Sequence, residues 1–169
     1  MHPEVGTMTT NDTLVSAYQM AKRMLHRFID DLTSAELELQ PFPGANSAEW
    51  IVGHLALTVR SSAIRLGAED TMGVSPGVVA QYSKTGQPAV EQVACGIAKN
   101  LLAMFDEFID ALIARLKLVP AKTLNGPLLI PSPFAKNFGE GVLFGAMHIM
   151  MHAGQLSTIR RILGKPPVV

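Results

Sequence analysis

The sequence predicts an all-α fold: a four-helix bundle with long connections after the second and third helices. Two observations carry this. Four segments of about twenty residues repeat apolar side chains at alternating spacings of three and four, and none alternates in the period-two manner of a half-buried strand. Glycine and proline punctuate the ends of these segments, where helices stop. The 169 residues suit one domain, 1–169, with a sizeable core, and residues 1–10 read as a mobile N-terminal segment.

The first helix is expected from about Thr13 to Asp31, with Leu14, Tyr18, Ala21, Leu25, Phe28 and Leu32 on its apolar face. Asn11 or Asp12 would cap it. His26 falls on the opposite, polar face and reads as exposed. Pro41 and Pro43 exclude continuous helix beyond it. A second helix is expected from Ser47 to about Leu66. Asn46 and Glu49 would form its capping box and Gly67 its stop.

A linker of about twenty residues follows, longer than compact domains usually carry. The third helix starts at or just after Pro88, with a buried seam of Val90, Ala94, Ile97, Leu101, Phe105, Phe108, Leu112 and Leu116. After a second long, proline-rich connection, the fourth helix runs from about Glu140 to Leu163 and ends at Gly164 before Pro166 and Pro167. Helices joined in this way are expected to pack as an antiparallel bundle, with the two later connections long enough to permit a crossover.

Lysine and arginine number 14 against 14 aspartate and glutamate, and no basic block occurs, so a nucleic-acid partner is not expected. No apolar run approaches the roughly 18 residues of a membrane span, and the N-terminus has no signal-peptide pattern. The single cysteine, Cys95, reads as a small buried side chain and fits a reducing, cytoplasmic setting. Hydrophobic residues reach 48% and charged residues only 17%, which leaves little charge to cover the surface. Either the core is large or a face is buried in a homodimer. The methionines read as core filler.

The most direct pointer to chemistry is a set of three histidines. His148 and His152, four residues apart, project from one face of the fourth helix. His54 lies in the first half of the second helix. Facing helices of a bundle commonly bring such side chains to one metal ion. Three neutral imidazoles suit several divalent metals and leave a coordination position open, as catalytic sites do. The same residues would serve a purely structural bundle in which buried imidazoles find hydrogen-bond partners.

Thr58, Ser61 and Arg65 follow His54 on its helix, and Gln155 follows His152; these are candidates to orient the histidines or hold a substrate. Trp50, one turn before His54, reads as a packing anchor. Gly141, Gly145, Ala146, Ala153 and Gly154 make the fourth helix small-sided, which implies close backbone approach by a neighbour.

Trp50, His54 and Leu55, then His148, His152 and Gln155, and finally Arg160, Arg161, Gly164 and Pro166 form a pattern that resembles the DinB-like superfamily. The resemblance spans nearly the whole chain, and its C-terminal part is the specific one. It implies a helical bundle, often dimeric, that binds a divalent metal such as zinc or nickel through His54, His148 and His152. Some relatives are transferases or isomerases that use a low-molecular-weight thiol such as mycothiol or bacillithiol. The resemblance therefore implies a metal-dependent enzyme that activates a small thiol (S-transferase) or water (hydrolase) towards a small-molecule substrate. The alternative is a non-catalytic, metal-binding, stress-related dimeric module. No residue is singled out as catalytic in its own right.

Overall fold

The computed structural model describes residues 7–70, 73–83 and 98–168. Among these, the chain forms α1 (Thr10–Ile29), α2 (Ser34–Glu38), α3 (Ala48–Arg65), α4 (Pro76–Tyr82), α5 (Ala98–Leu116), α6 (Ala121–Leu124) and α7 (Phe138–Ile162), and no strand. The long helices α1, α3, α5 and α7 are the four expected from periodicity. The expected start of the third helix, with Val90, Ala94, Cys95 and Ile97, lies outside the described residues, as does His2. No helix among the described residues is long and apolar enough to cross a membrane.

α3 packs along α5 and α1 along α7, while contacts of α1 with α5 and of α3 with α7 close the ring. Hydrogen bonds fix the directions. Asn11, at the start of α1, donates to the carbonyls of Leu116 and Val119 beyond the end of α5 (2.6 and 2.8 Å), so these two helices are antiparallel. The Tyr18 hydroxyl donates to the Val142 carbonyl at 2.8 Å and Arg160 to the Phe28 carbonyl at 3.0 Å, so α1 and α7 are parallel. Arg115 donates to the Leu66 carbonyl at 3.1 Å, joining the C-terminal ends of α3 and α5, which are also parallel. α3 and α7 are antiparallel: His54 meets His148, and Arg65 shares a cleft with Gly141.

The simple antiparallel bundle is therefore corrected to two parallel pairs set against each other. A parallel neighbour requires the chain to return the full length of a helix, about 27 Å for the 18 residues of α3. That return is the physical reason for the long linker after α3. The linker is not featureless, as its composition suggests: it contains α4, started by Ser75, whose hydroxyl accepts from the Val78 amide, and by Pro76 in the first turn.

Two caps also differ from expectation. Thr9, not Asn11 or Asp12, caps α1, and Asp12 completes a reciprocal capping box with it. Ser47, not Asn46, caps α3. Glu49 is not spent on that cap; it is buried and accepts from the Tyr82 hydroxyl at 2.9 Å. Gly67 and Gly164 end their helices at φ +85° and +70°, a conformation that favours glycine.

The core is filled by Leu25, Ile51, Leu55, Leu101, Phe105, Ile109, Leu112, Leu116 and Leu156, all fully buried. Each such side chain contributes about 1.5–3 kcal/mol on leaving water. Small residues on α7 do admit close neighbours, but not uniformly. A Cβ on Gly145 would lie 2.2 Å from the Tyr18 hydroxyl and one on Gly141 would lie 2.9 Å from Leu128, whereas Gly154 faces open space. Arg160 is 5% exposed, and its guanidinium ties α7 to Asp31 just after α1.

His26 is not simply exposed. Its ring bridges Asp30 (2.9 Å) and Asp106 (2.8 Å), linking α1 to α5. Partial burial opposes its protonation, but the hydrogen bonds and charges of the two aspartates together raise its pKa above the ordinary histidine value. The methionines depart from the core-filler expectation: Met8, Met20, Met147, Met150 and Met151 are exposed.

Gly145→Ala should destabilise the fold. The gain in helix propensity, about 1 kcal/mol, is outweighed by the clash with Tyr18 and the loss of its bond to Val142, for a net loss of about 1–3 kcal/mol. Chemical denaturation checks this, and a variant as stable as the parent would contradict it.

Candidate metal centre

His54 sits at mid-height on α3 and is 6% exposed; His152 on α7 is 5% exposed, and His148, one turn before it, is half-buried. Antiparallel packing of α3 against α7 brings the three rings together. One nitrogen from each lies within 4.8 Å of the others, and among the described residues no other group of histidine, cysteine or carboxylate ligands converges in this way.

The rings are oriented from behind. The carbonyl of Tyr82 can only accept, so the 3.0 Å contact fixes a proton on His54 Nδ1 and leaves the Nε2 lone pair facing the cluster. His152 Nδ1 donates to Gln155 Oε1 at 2.9 Å, which directs its Nε2 in the same way. Trp50 stacks on the His54 ring at 4.9 Å and 8°, and its indole N–H donates to the Gln81 carbonyl at 3.2 Å. Trp50 is thus an anchor, as expected, but it anchors the histidine as well as the core.

α4 supplies both carbonyls, a contribution that sequence spacing did not reveal. A Cβ on Gly53 would lie 2.5 Å from the Tyr82 ring, so glycine is what lets α4 sit directly on α3. The pairing of Gly53 with His54 was the available signal.

His54 Nε2 and His148 Nε2 are 3.2 Å apart. Two imidazole nitrogens at that spacing satisfy each other only if one carries a proton. A shared cation satisfies both lone pairs. Zinc–nitrogen bonds of about 2.0–2.1 Å in tetrahedral arrangement place ligand nitrogens about 3.3 Å apart, so the donor set fits a divalent ion. Burial lowers the pKa of His152 to about 4, and burial with the neighbouring His54 lowers that of His148. Both rings are therefore neutral, the ligating form, at neutral pH.

The other candidates fall at different distances from the cluster. The Thr58 hydroxyl donates to the His54 carbonyl at 2.9 Å, one turn along α3. Ser61 is half-buried and Arg65 exposed, further along the same helix. Arg65 lines a cleft of about 310 Å³ between α3 and α7. Phe144 lines the same cleft and is tilted against His148 with centroids 6.4 Å apart. A larger groove, about 920 Å³, runs over the exposed methionines of α1 and α7 but includes none of the three histidines. Neither is lined by the three histidines themselves; the smaller cleft reaches them through Phe144, whose ring is tilted against His148.

The depressed pKa values set a pH dependence for the metal-free protein. Between about 6.5 and about 4 the unfolded chain takes up the His152 proton before the folded one does. Stability therefore falls as pH is lowered through that window, by at most on the order of 3 kcal/mol. His26 acts in the opposite sense: its contribution is complete below the unfolded value and lost as pH rises through its raised folded value. Denaturation curves in chelator should show a shallower loss between pH 6.5 and 4 for His152→Gln than for the parent; identical slopes would contradict this.

The sequence profile of the DinB superfamily matches residues 17–156. No curated protein matches the chain by sequence. Among solved structures, YfiT from Bacillus subtilis is described as a probable metal-dependent hydrolase with an unusual four-helix bundle topology. It matches with a TM-score of 0.68 at 16% identity, over 98% of this chain and 95% of that one. A conserved protein from Enterococcus faecalis matches with a TM-score of 0.71 at 15% identity, over 94% of this chain and 100% of that one. These two likenesses establish a shared fold. The profile match, which spans most of the chain and all three histidines, shows that the chain belongs to the DinB superfamily.

Proposed function

We propose that this protein is a metal-dependent enzyme that generates a nucleophile, from water or from a low-molecular-weight thiol, at a centre formed by His54, His148 and His152. One observation carries the reading: three buried or half-buried imidazoles converge, two with their tautomers fixed from behind by Tyr82 and Gln155. The description of YfiT as a probable metal-dependent hydrolase supports it.

His54, His148 and His152 would hold a divalent ion, which would supply Lewis acidity to lower the pKa of water or a thiol towards neutrality. The chain's own residues do the rest. Three neutral ligands would leave the ion's charge undiminished and room for a further ligand. Tyr82 and Gln155 hold His54 and His152 in the ligating tautomer without a carboxylate that would offset that charge. Trp50 covers one face of His54 and keeps water from it. The cleft beside Phe144 is the approach for a substrate.

Metal analysis of protein purified without chelator, then reloaded with zinc or nickel, should give about one ion per chain. His148→Ala should lose it, with any thiol-transfer or hydrolytic turnover. Full metal content in the variant would contradict the centre, and full activity without metal would contradict the mechanism. Gln155→Leu should keep the fold but weaken metal affinity about 10–100-fold; unchanged affinity would remove Gln155 from the orienting role.

Association of two copies is the second part of the proposal, supported by the apolar composition and by the exposed Met20, Met147, Met150 and Met151. Light scattering at micromolar concentration should give twice the 18.2 kDa of one chain. A single-chain mass would contradict it and would also remove the basis for a non-catalytic, dimeric, metal-binding module.

A further inference from the structure

The cleft between α3 and α7 has the chemistry of a site with one kind of occupant. Its walls are Ser62 and Arg65 on α3, the segment Leu128–Ser132, and Phe138, Gly141, Val142 and Phe144 at the start of α7. Arg65 is its one charged lining residue, and it makes no hydrogen bond or ion pair among the described residues. Arg60 pairs with Asp70, Arg115 with the Leu66 carbonyl, and Arg160 with Asp31, whereas Arg23, Arg27 and Arg161 are exposed and unpaired among the described residues but lie outside this cleft.

The lip of the cleft is unusually apolar for a surface. Leu129 is 72% exposed and Ile130 63%, and nearby Phe134, 69% exposed, stacks on Phe144 at 4.9 Å. Large apolar side chains held open beside an unpaired guanidinium are what an amphipathic anion would cover.

The cleft is also joined to the histidines. Phe144 precedes His148 by one turn of α7, and its ring leans on the His148 ring. On the facing helix, Ser62 donates to the Thr58 carbonyl and Thr58 to the His54 carbonyl, so one continuous stretch of α3 forms the wall of both. From His54 to Arg65 is roughly 16 Å along the helix axis.

We infer that this cleft binds the body of the substrate, and that the substrate is an elongated, mainly apolar molecule with an anionic group, a carboxylate or sulfonate, held by Arg65. Its reactive end then lies at the three histidines, an assignment that rests on the metal centre proposed above. The guanidinium offers two parallel N–H donors to a carboxylate, which fixes the orientation of the chain in the cleft. Phe144 and the Leu128–Ile130 segment hold the apolar part. A neutral analogue of equal length would keep the apolar contacts and lose the anchor.

Calorimetric titration of the full, zinc-loaded chain with octanoate and with octanamide tests this. Octanoate should bind saturably and about five- to tenfold more tightly than octanamide. Arg65→Gln should abolish the preference while metal content stays unchanged. Leu129→Asp, at an exposed position that leaves the core alone, should weaken octanoate by a similar factor through repulsion at the lip. Absence of saturable octanoate binding at millimolar concentration would overturn the assignment. So would equal affinity for the two probes, or a preference that survives in Arg65→Gln.

Metal content of the same samples separates the two proposals. If no metal is taken up but the Arg65-dependent preference persists, the cleft stands as an anion-binding site and the metal centre falls. If metal is bound and the preference is missing, the centre stands and the cleft assignment falls.

Discussion

Everything at the candidate centre depends on the antiparallel seam between α3 and α7. A histidine at mid-height on one helix and an i, i+4 pair on the other meet only if the two helices run in opposite directions at this register. That seam is possible because α7 is parallel to α1 and α3 is parallel to α5, so the two parallel pairs face each other. The connections follow from this. The chain must travel back along α3 before α5 can begin, and the returning segment carries α4 onto the outside of α3. The carbonyl of Tyr82 thereby reaches His54, and the Gln81 carbonyl reaches Trp50. Gly53 is the residue that permits the contact: with any side chain there, the Tyr82 ring could not lie where it does.

The electrostatics of the molecule separate two kinds of histidine. His26 bridges Asp30 and Asp106, and despite partial burial these two carboxylates favour its protonated form and raise its pKa above the ordinary histidine value. His148 and His152 have no carboxylate partner among the described residues and are held neutral by burial. The same residue type is thus favoured in its protonated form on one side of the bundle and in its neutral form on the other. The difference is made by the neighbours, not by the ring.

The four long helices were legible in the sequence because their apolar periods are long and their ends are marked by Gly67, Gly164 and proline. The three histidines were legible because helical spacing alone places His148 over His152. The relative direction of the helices was not. Local periodicity says which face is buried but not which neighbour buries it, and a long linker is equally compatible with a loop or a return crossing. α4 was missed because seven residues are too few for an apolar period to emerge. The caps shifted because threonine and serine hydroxyls at positions 9 and 47 competed successfully with the asparagine and aspartate side chains nearby. The role of the exposed methionines was misread because composition reports how apolar a chain is and not where its apolar surface lies. Gln155 was identified as a pocket residue, but its contact with His152 depends on a rotamer that spacing cannot specify.

The central claim is that three imidazoles from two antiparallel helices share one ion. X-ray absorption spectroscopy of zinc-loaded protein addresses it directly. The account predicts a first shell containing about three imidazole nitrogens at about 2.0–2.1 Å, completed by an oxygen ligand from solvent. It also predicts that His54→Ala no longer gives this three-imidazole shell. A shell with one imidazole or none, or one unchanged by that substitution, would contradict it.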